Sequence, residues 1–269
     1  MTSTGRASVG RAPVRLVAPA VLAVAFLVFP LVALLVRTPW STLPDQLRSP
    51  ALADALVLSL ETSTAAMTVA ALVGTPLAWL LARLSFPGRS LLRVMVAVPL
   101  VLPPVVAGVA LLTAFGRQGL LGQPLFEAFG ITIPFTTAAV VIAHAFVALP
   151  FYVISVEGAL RTTDREYDVV AATLGASRWT TFTRVTLPMA LPGVLAGLVL
   201  GWARSLGEFG ATITFAGNFR GTTQTMPLLV YTDLQSDQGA AIVVSVILLL
   251  VSVAVLALLR DRWFEQVAR

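Results

Sequence analysis

An all-α, polytopic membrane bundle of six transmembrane helices is the fold class that the sequence predicts, on three observations. First, hydrophobic residues make up 57% of the 269 residues and charged residues only 12%, with a mean hydropathy of +0.90. A soluble domain carries roughly 25% charged residues, so a chain this apolar cannot cover itself with polar surface, and its solvent is largely lipid. Second, six stretches free of ionisable side chains reach the roughly 20 residues that a helix needs to cross a hydrocarbon core about 30 Å thick. Third, the alternating segments of about ten residues that mark a membrane barrel are absent. Helices are then the way to satisfy backbone N–H and C=O groups in lipid.

The stretches follow in order. Arg15 to Arg37 encloses 21 residues, Glu61 to Arg83 encloses 21 with apolar sequence back to Ala55, and Arg93 to Arg117 encloses 23. Glu127 to Glu157 encloses 29, more than one helix needs; Arg184 to Arg204 encloses 19, and Asp237 to Arg260 encloses 22. The first stretch follows Arg6, Arg11 and Arg15 as a signal peptide would. It is longer than an h-region of about 7–15 residues and has no small-x-small site beyond it, so it reads as a retained helix. The expected organisation is a flexible cytoplasmic N-terminus over 1–13, a six-helix transmembrane domain over 14–260 that includes the segment 161–188, and a cytoplasmic C-terminal tail over 261–269.

Charge sets the expected orientation. Thirteen of the 18 arginines fall at the two termini and in the loops after spans two and four, against four in the opposite loops. By the positive-inside rule both termini and those two loops are cytoplasmic, which makes this a multi-pass protein of the inner or plasma membrane. The net charge of +5 is scattered between apolar runs rather than gathered on one face, so no nucleic acid partner is expected. With no Cys and a single His, no thiolate or His-based metal site is expected.

One cytoplasmic connection is not a plain connector. Residues 161–188 read RTTDREYDVVAATLGASRWTTFTRVTLP. Thr163 with Glu166 three residues on is a capping box, and Asp164, Glu166 and Asp168 crowd the positive end of a helix dipole. Tyr167, Val170, Ala171 and Leu174 form an i, i+3, i+4, i+7 stripe. Gly175 sits where a left-handed C′ residue ends a helix. Ser177 can cap a second helix, which Pro188 closes or kinks. Periodicity alone fits either a helix lying on the bilayer or a docking helix for a soluble partner.

This segment resembles the cytoplasmic signature of the integral membrane subunits of ABC importers, E-A-A-x3-G-x9-I-x-L-P. Gly175, nine residues, then Val185-Thr186-Leu187-Pro188 match its second half; in the first half Val169 stands at the Glu position, with Asp168 just before it, and Val170 and Ala171 fill the Ala positions. The resemblance implies a type I importer permease fold, with coupling to an ATP-binding subunit through Glu166, Asp168, Ala171, Ala172, Leu174, Gly175, Ala176, Leu187 and Pro188. Ala203–Asn218 and Thr225–Leu229 resemble the molybdate branch of these permeases. Pro99–Gly108 resembles the wider molybdate, tungstate and sulfate group, and Gly74–Ala78 the general permease pattern. The implied function is ATP-driven import of molybdate or tungstate, with sulfate as the alternative. The implied partners are a second copy of the chain, a cytoplasmic ATP-binding subunit dimer and an extracytoplasmic molybdate-binding protein.

Within the membrane, Arg204 and Glu208 are four residues apart and share a helix face. They read either as a self-neutralising packing pair or as an anion-path element, and pairing weakens Arg204 as an anion site. Gly193, Gly197 and Gly201 form a row suited to close helix approach, within the subunit or across a dimer. Pro99, Pro103 and Pro104 interrupt span three. Irregular backbone at membrane depth belongs in protein or beside a cavity, so spans three and five are expected to line the path and its gate, with Pro103, Pro104, Arg204, Glu208 and Thr212 as candidates. His144 is expected to be packed and hydrogen-bonded.

No G-x4-G-K-[ST] loop, H-E-x-x-H, G-x-S-x-G or dinucleotide fingerprint occurs. No catalytic residue, metal or cofactor is therefore assigned to this chain, and ATP belongs to the partner subunit. A secondary transporter is the remaining rival, but the halves show no convincing internal repeat and the 161–188 segment has no task in it.

Overall fold

The computed structural model describes residues 14–267, so the expectation for residues 1–13 lies outside the described residues. The described chain is a helical bundle with the element order α1 (Val14–Val36), α2 (Leu43–Leu47), α3 (Pro50–Arg83), α4 (Arg89–Val101), α5 (Pro104–Phe115), α6 (Gly122–Phe129), α7 (Thr137–Thr162), α8 (Glu166–Thr173), α9 (Arg178–Thr181), α10 (Leu187–Met189), α11 (Leu191–Leu206), α12 (Gly210–Phe215), α13 (Met226–Ser236) and α14 (Gln238–Val267). A π-helical turn, Phe182–Thr186, joins α9 to α10. The tail expected over 261–269 is, as far as Val267, a continuation of α14.

Helices α1, α3, α7 and α14 are each long and apolar enough to cross a bilayer. The other two crossings are broken. Span three, expected as one helix interrupted by prolines, is instead the pair α4–α5, bent by 117°. At 1.5 Å per residue each half is only about 20 Å long, short of the hydrocarbon thickness. The break is chemical: Pro103 and Pro104 lack amide protons and hold the preceding residue extended, and Leu102 has ψ 128°. Span five likewise enters through a 69° bend between Arg178–Met189 and α11.

Contacts at the two ends decide that the α4–α5 pair counts as one crossing. At one face the ends of α3 and α7 lie side by side, with Arg83 Nη1 donating to Thr163 O at 3.4 Å and Arg165 Nη2 to Ala82 O at 3.4 Å. At the other face Thr137 Oγ1 donates to Thr222 O at 3.0 Å and Arg220 pairs with Asp54 at 3.2 Å. Helices α3 and α7 therefore run the same way, and the chain between them recrosses.

The core is built from small residues. Ala66, Ala70, Gly74, Ala78 and Ala82 recur every fourth residue along α3 and are all buried. This ridge meets Tyr152, Val153, Val156 and Leu160 of α7. In lipid, where apolar burial gives helices no net drive, such close backbone approach supplies the packing. The glycine row of α11 packs on the same helix: a Cβ at Gly197 would meet the Tyr152 backbone at 3.1 Å, and one at Gly193 would lie 2.2 Å from the Ala159 Cβ. The row thus serves packing within the subunit. At Gly201 the nearest atoms belong to the flexible end of Met67, the closest at 2.7 Å. Gly193→Ala is therefore expected to cost about 1–3 kcal/mol of stability by overpacking, and Gly201→Ala less. Thermal unfolding of the two purified variants in detergent checks the order, and equal shifts would contradict this packing account.

Candidate functional site

The segment after α7 folds as an elbow. Helix α8 ends at Thr173, and Gly175 takes φ +82°. Gly175 N–H donates to Ala172 O and Ala176 N–H to Ala171 O, both at 3.0 Å. This is a Schellman closure, which needs a left-handed residue that glycine adopts without a Cβ penalty. Ser177 Oγ then accepts from Thr180 N–H at 3.1 Å and caps α9. The expected capping box is replaced. Thr163 Oγ1 donates back to Ala159 O at 3.0 Å, and Asp164 Oδ1 takes the Glu166 N–H at 3.0 Å. The shorter aspartate reaches an amide two residues on, while Thr163 still belongs to the end of α7.

Two faces of α8 differ. Tyr167, Val170 and Leu174 project outward, Leu174 with 83% of its surface exposed, while Ala171 is buried between the stripe and the bundle. Glu166, Ala172, Gly175 and Pro188 are exposed; Ala176 and Leu187 are half-buried. Asp168 turns inward. Its Oδ1 accepts from Thr186 Oγ1 at 2.8 Å, and its Oδ2 lies 3.6 Å from Arg83 Nη2. The same carboxylate thus ties both arms of the elbow to the end of α3. Trp79 packs edge-on against Phe182 at 6.3 Å between centroids, seating the second arm on the same helix.

Arginines anchor this face in a way the sequence reading missed. Arg89 and Arg93 donate to Leu81 O, and Arg165 to Ala82 O. They cover orphan carbonyls at the C-terminal, negative end of α3. Arg93 Nε also donates to Glu157 Oε1 at 3.0 Å, and the Glu157 side chain is 7% exposed. The available signal was three arginines after span two with no acid among them.

The interruptions of spans three and five meet. A Cβ at Gly210 would lie 2.7 Å from the Pro104 Cβ, and one at Gly108 would lie 2.6 Å from the Thr214 Cβ. Between α11 and α12 the chain breaks over Gly207 to Phe209. There Glu208, 1% exposed, holds Arg204 Nη1 at 2.7 Å through Oε2 and accepts the Ala211 N–H at 2.8 Å through Oε1. Of the five gate candidates, Glu208 and Thr212 are buried, Arg204 is half-buried, and Pro103 and Pro104 are exposed. Thr212 Oγ1 has no hydrogen-bond partner among the described residues. His144 is packed, at 1% exposure, but neither ring nitrogen has a hydrogen-bond partner among the described residues, so the expected hydrogen bond is not found.

Residues 74–269 match the family described as the binding-protein-dependent transport system inner membrane component. The chain belongs to that family. It is 50% identical over 237 residues to the molybdenum transport system permease protein ModB of Mycobacterium tuberculosis, covering 88% of this chain and 89% of that protein. It is 36% identical over 234 residues to the sulfate transport system permease protein CysT of Escherichia coli, covering 86% and 84%. Among solved structures, a bacterial ABC transporter involved in the import of the acidic polysaccharide alginate superposes with a TM-score of 0.75 at 16% identity, over 93% of this chain and 94% of that one. That likeness establishes the importer-permease fold. Membership of an inner membrane component family accounts for the bundle, whose helices cross the membrane several times.

Proposed function

We propose that the chain is the membrane-spanning permease subunit of an ATP-driven importer that carries molybdate or tungstate by alternating access. The observation that carries this reading is the elbow, an apolar stripe held out of the bundle by the Gly175 closure and tied to the end of α3 through Asp168. Two copies form one pathway. A cytoplasmic ATP-binding dimer seats on the two elbows, through the outward stripe and the neighbouring Glu166, Leu187 and Pro188. An extracytoplasmic binding protein delivers the dianion to the opposite face and supplies most of the selectivity. The elbow, α1's start and α14's end belong on the cytoplasmic side, in keeping with the arginine distribution. ATP binding draws the elbows together, and the bundle rocks as a rigid body.

The stronger identity to a molybdenum permease than to a sulfate permease favours molybdate over sulfate. Reconstitution in liposomes with the ATP-binding and binding-protein partners tests this. ATP-dependent uptake of labelled molybdate, exceeding that of sulfate, is expected. Preferred sulfate uptake would reassign the substrate, and uptake by this chain alone without ATP would make it a secondary carrier.

A further inference from the structure

Behind the elbow lies a cleft of about 690 Å³ whose walls include Trp79, Arg83, Arg165, Asp168, Arg178 and Phe182. On α8 the cleft is lined by Asp168, Val169, Ala172 and Thr173. The exposed stripe Tyr167, Val170 and Leu174 points to the opposite side of the helix, by the 100° step per residue of an α-helix. A motor protein seated on the stripe therefore leaves the cleft uncovered.

The charge of the cleft is unbalanced. Three guanidinium groups face one carboxylate. Arg83 forms the floor, with its side chain 7% exposed, and its Nε and Nη2 find no hydrogen-bond acceptor among the described residues. Asp168 answers it only at 3.6 Å and is already engaged by Thr186. Arg165 and Arg178 are exposed at the rim, and among the described residues neither belongs to an ion pair. Among the described residues, Arg165 is held in place by its bond to Ala82 O alone.

The remaining wall is apolar. Trp79 lies one helical turn nearer the bilayer than Arg83 on the same helix, and it packs with Phe182. Aromatic rings at that depth mark the membrane interface, and basic pockets between membrane helices bind anionic lipid head groups. A free inorganic oxyanion would use the arginines and leave the aromatic wall unsatisfied.

We propose that this cleft binds the phosphate of an anionic phospholipid between Arg165 and Arg178, with the acyl chain over Trp79, so that a lipid fastens the elbow to the end of α3. The proposal depends on the function given above only for which leaflet supplies the lipid. Its consequence is that the rigidity of the elbow depends on membrane composition.

The test is native mass spectrometry of the delipidated full chain, alone and with its ATP-binding partner, given equimolar phosphatidylglycerol and phosphatidylcholine. The wild type is expected to retain one phosphatidylglycerol in preference to phosphatidylcholine. Each arginine near an anionic surface contributes about 1 kcal/mol, so Arg165→Gln with Arg178→Gln weakens retention about thirtyfold. Arg178→Gln alone, which removes no internal hydrogen bond, weakens it about fivefold. Arg184→Gln, which removes the same charge from a part of the elbow away from the cleft, retains lipid as the wild type does.

Equal retention by the double variant and the wild type would overturn the proposal. Displacement of the lipid by millimolar inorganic phosphate would make the cleft a free-anion site instead. Loss of the lipid on adding the ATP-binding partner would show that an acidic group of that protein fills the cleft. Failure of the partner to bind the wild type at all would count against the importer reading. The lipid comparison on the chain alone would still stand.

Discussion

Gly175→Pro is expected to abolish copurification of the ATP-binding partner while leaving the bundle in the membrane. Gly175 has φ +82°, and proline is locked near −65°, so the Schellman closure between α8 and α9 cannot form. Nothing lies within 4 Å of a Cβ built at this position, so the effect is one of backbone conformation rather than crowding. That separation makes a graded series informative. Gly175→Ala places an L-residue in the left-handed region, at a cost of about 1–2 kcal/mol, and weakens partner binding without abolishing it. Gly175→Asn falls between alanine and wild type, because asparagine tolerates that region better. Partner recovery is read on affinity-purified membranes. Unchanged recovery with proline at position 175 would show that the elbow geometry is not what the partner recognises.

The second large effect is expected at Glu208. Its carboxylate is 1% exposed, contacts Arg204 at 2.7 Å, and receives the Ala211 N–H at the start of α12. Removing it leaves the half-buried Arg204 without its counter-ion and the buried Ala211 N–H without an acceptor, the second of which alone costs about 1–3 kcal/mol. Glu208→Ala is therefore expected to reduce folded protein in the membrane severely. Glu208→Gln keeps an acceptor for Ala211 and separates the cap from the charge, so it is expected to fold better than the alanine variant and worse than wild type. Arg204→Gln distinguishes packing from passage. Loss of assembly together with transport supports the structural role. Normal assembly and ATPase rate with lost uptake would instead place Arg204 on the anion path. The two breaks that meet beside this pair, at Pro104 and Gly210, give either outcome a structural setting.

Much of the architecture was legible because lipid imposes a length on apolar sequence and allows few ways to satisfy a backbone. The spans of α1, α7 and α14 follow from that rule alone. Gly175 and Ser177 were legible for a similar reason, since helix termini leave orphan groups that only certain residues satisfy. What was hidden is mostly angular or long-range. Prolines at 103 and 104 announce an interruption, but their chemistry does not say that α4 and α5 diverge by 117°, nor that α5 then packs against α12 at Gly108. The alanine ridge of α3 carries no local signal beyond small size. Asp168 read as a stand-in for the signature acid, whereas its contacts run inward to Arg83 and Thr186, partners 85 residues before it and 18 after it in the chain. Helical spacing does not reveal such pairings. Of the arginines that cover the end of α3, Arg89 and Arg93 lie 8 and 12 residues from the carbonyl they serve, and only Arg165 comes from far away, 83 residues from Ala82.

The central claim is that the stripe on α8 is the seat of a separate ATP-binding subunit. The chain contains no cysteine, so Leu174→Cys, at the most exposed point of the stripe, introduces a unique label. The most direct measurement is bifunctional maleimide crosslinking of this variant in inside-out vesicles, paired with a membrane-impermeant maleimide applied to intact cells. The account predicts a crosslink to the ATP-binding subunit and no labelling from outside. Labelling from the outer surface, or full vesicle reactivity with no crosslinked partner, would contradict it.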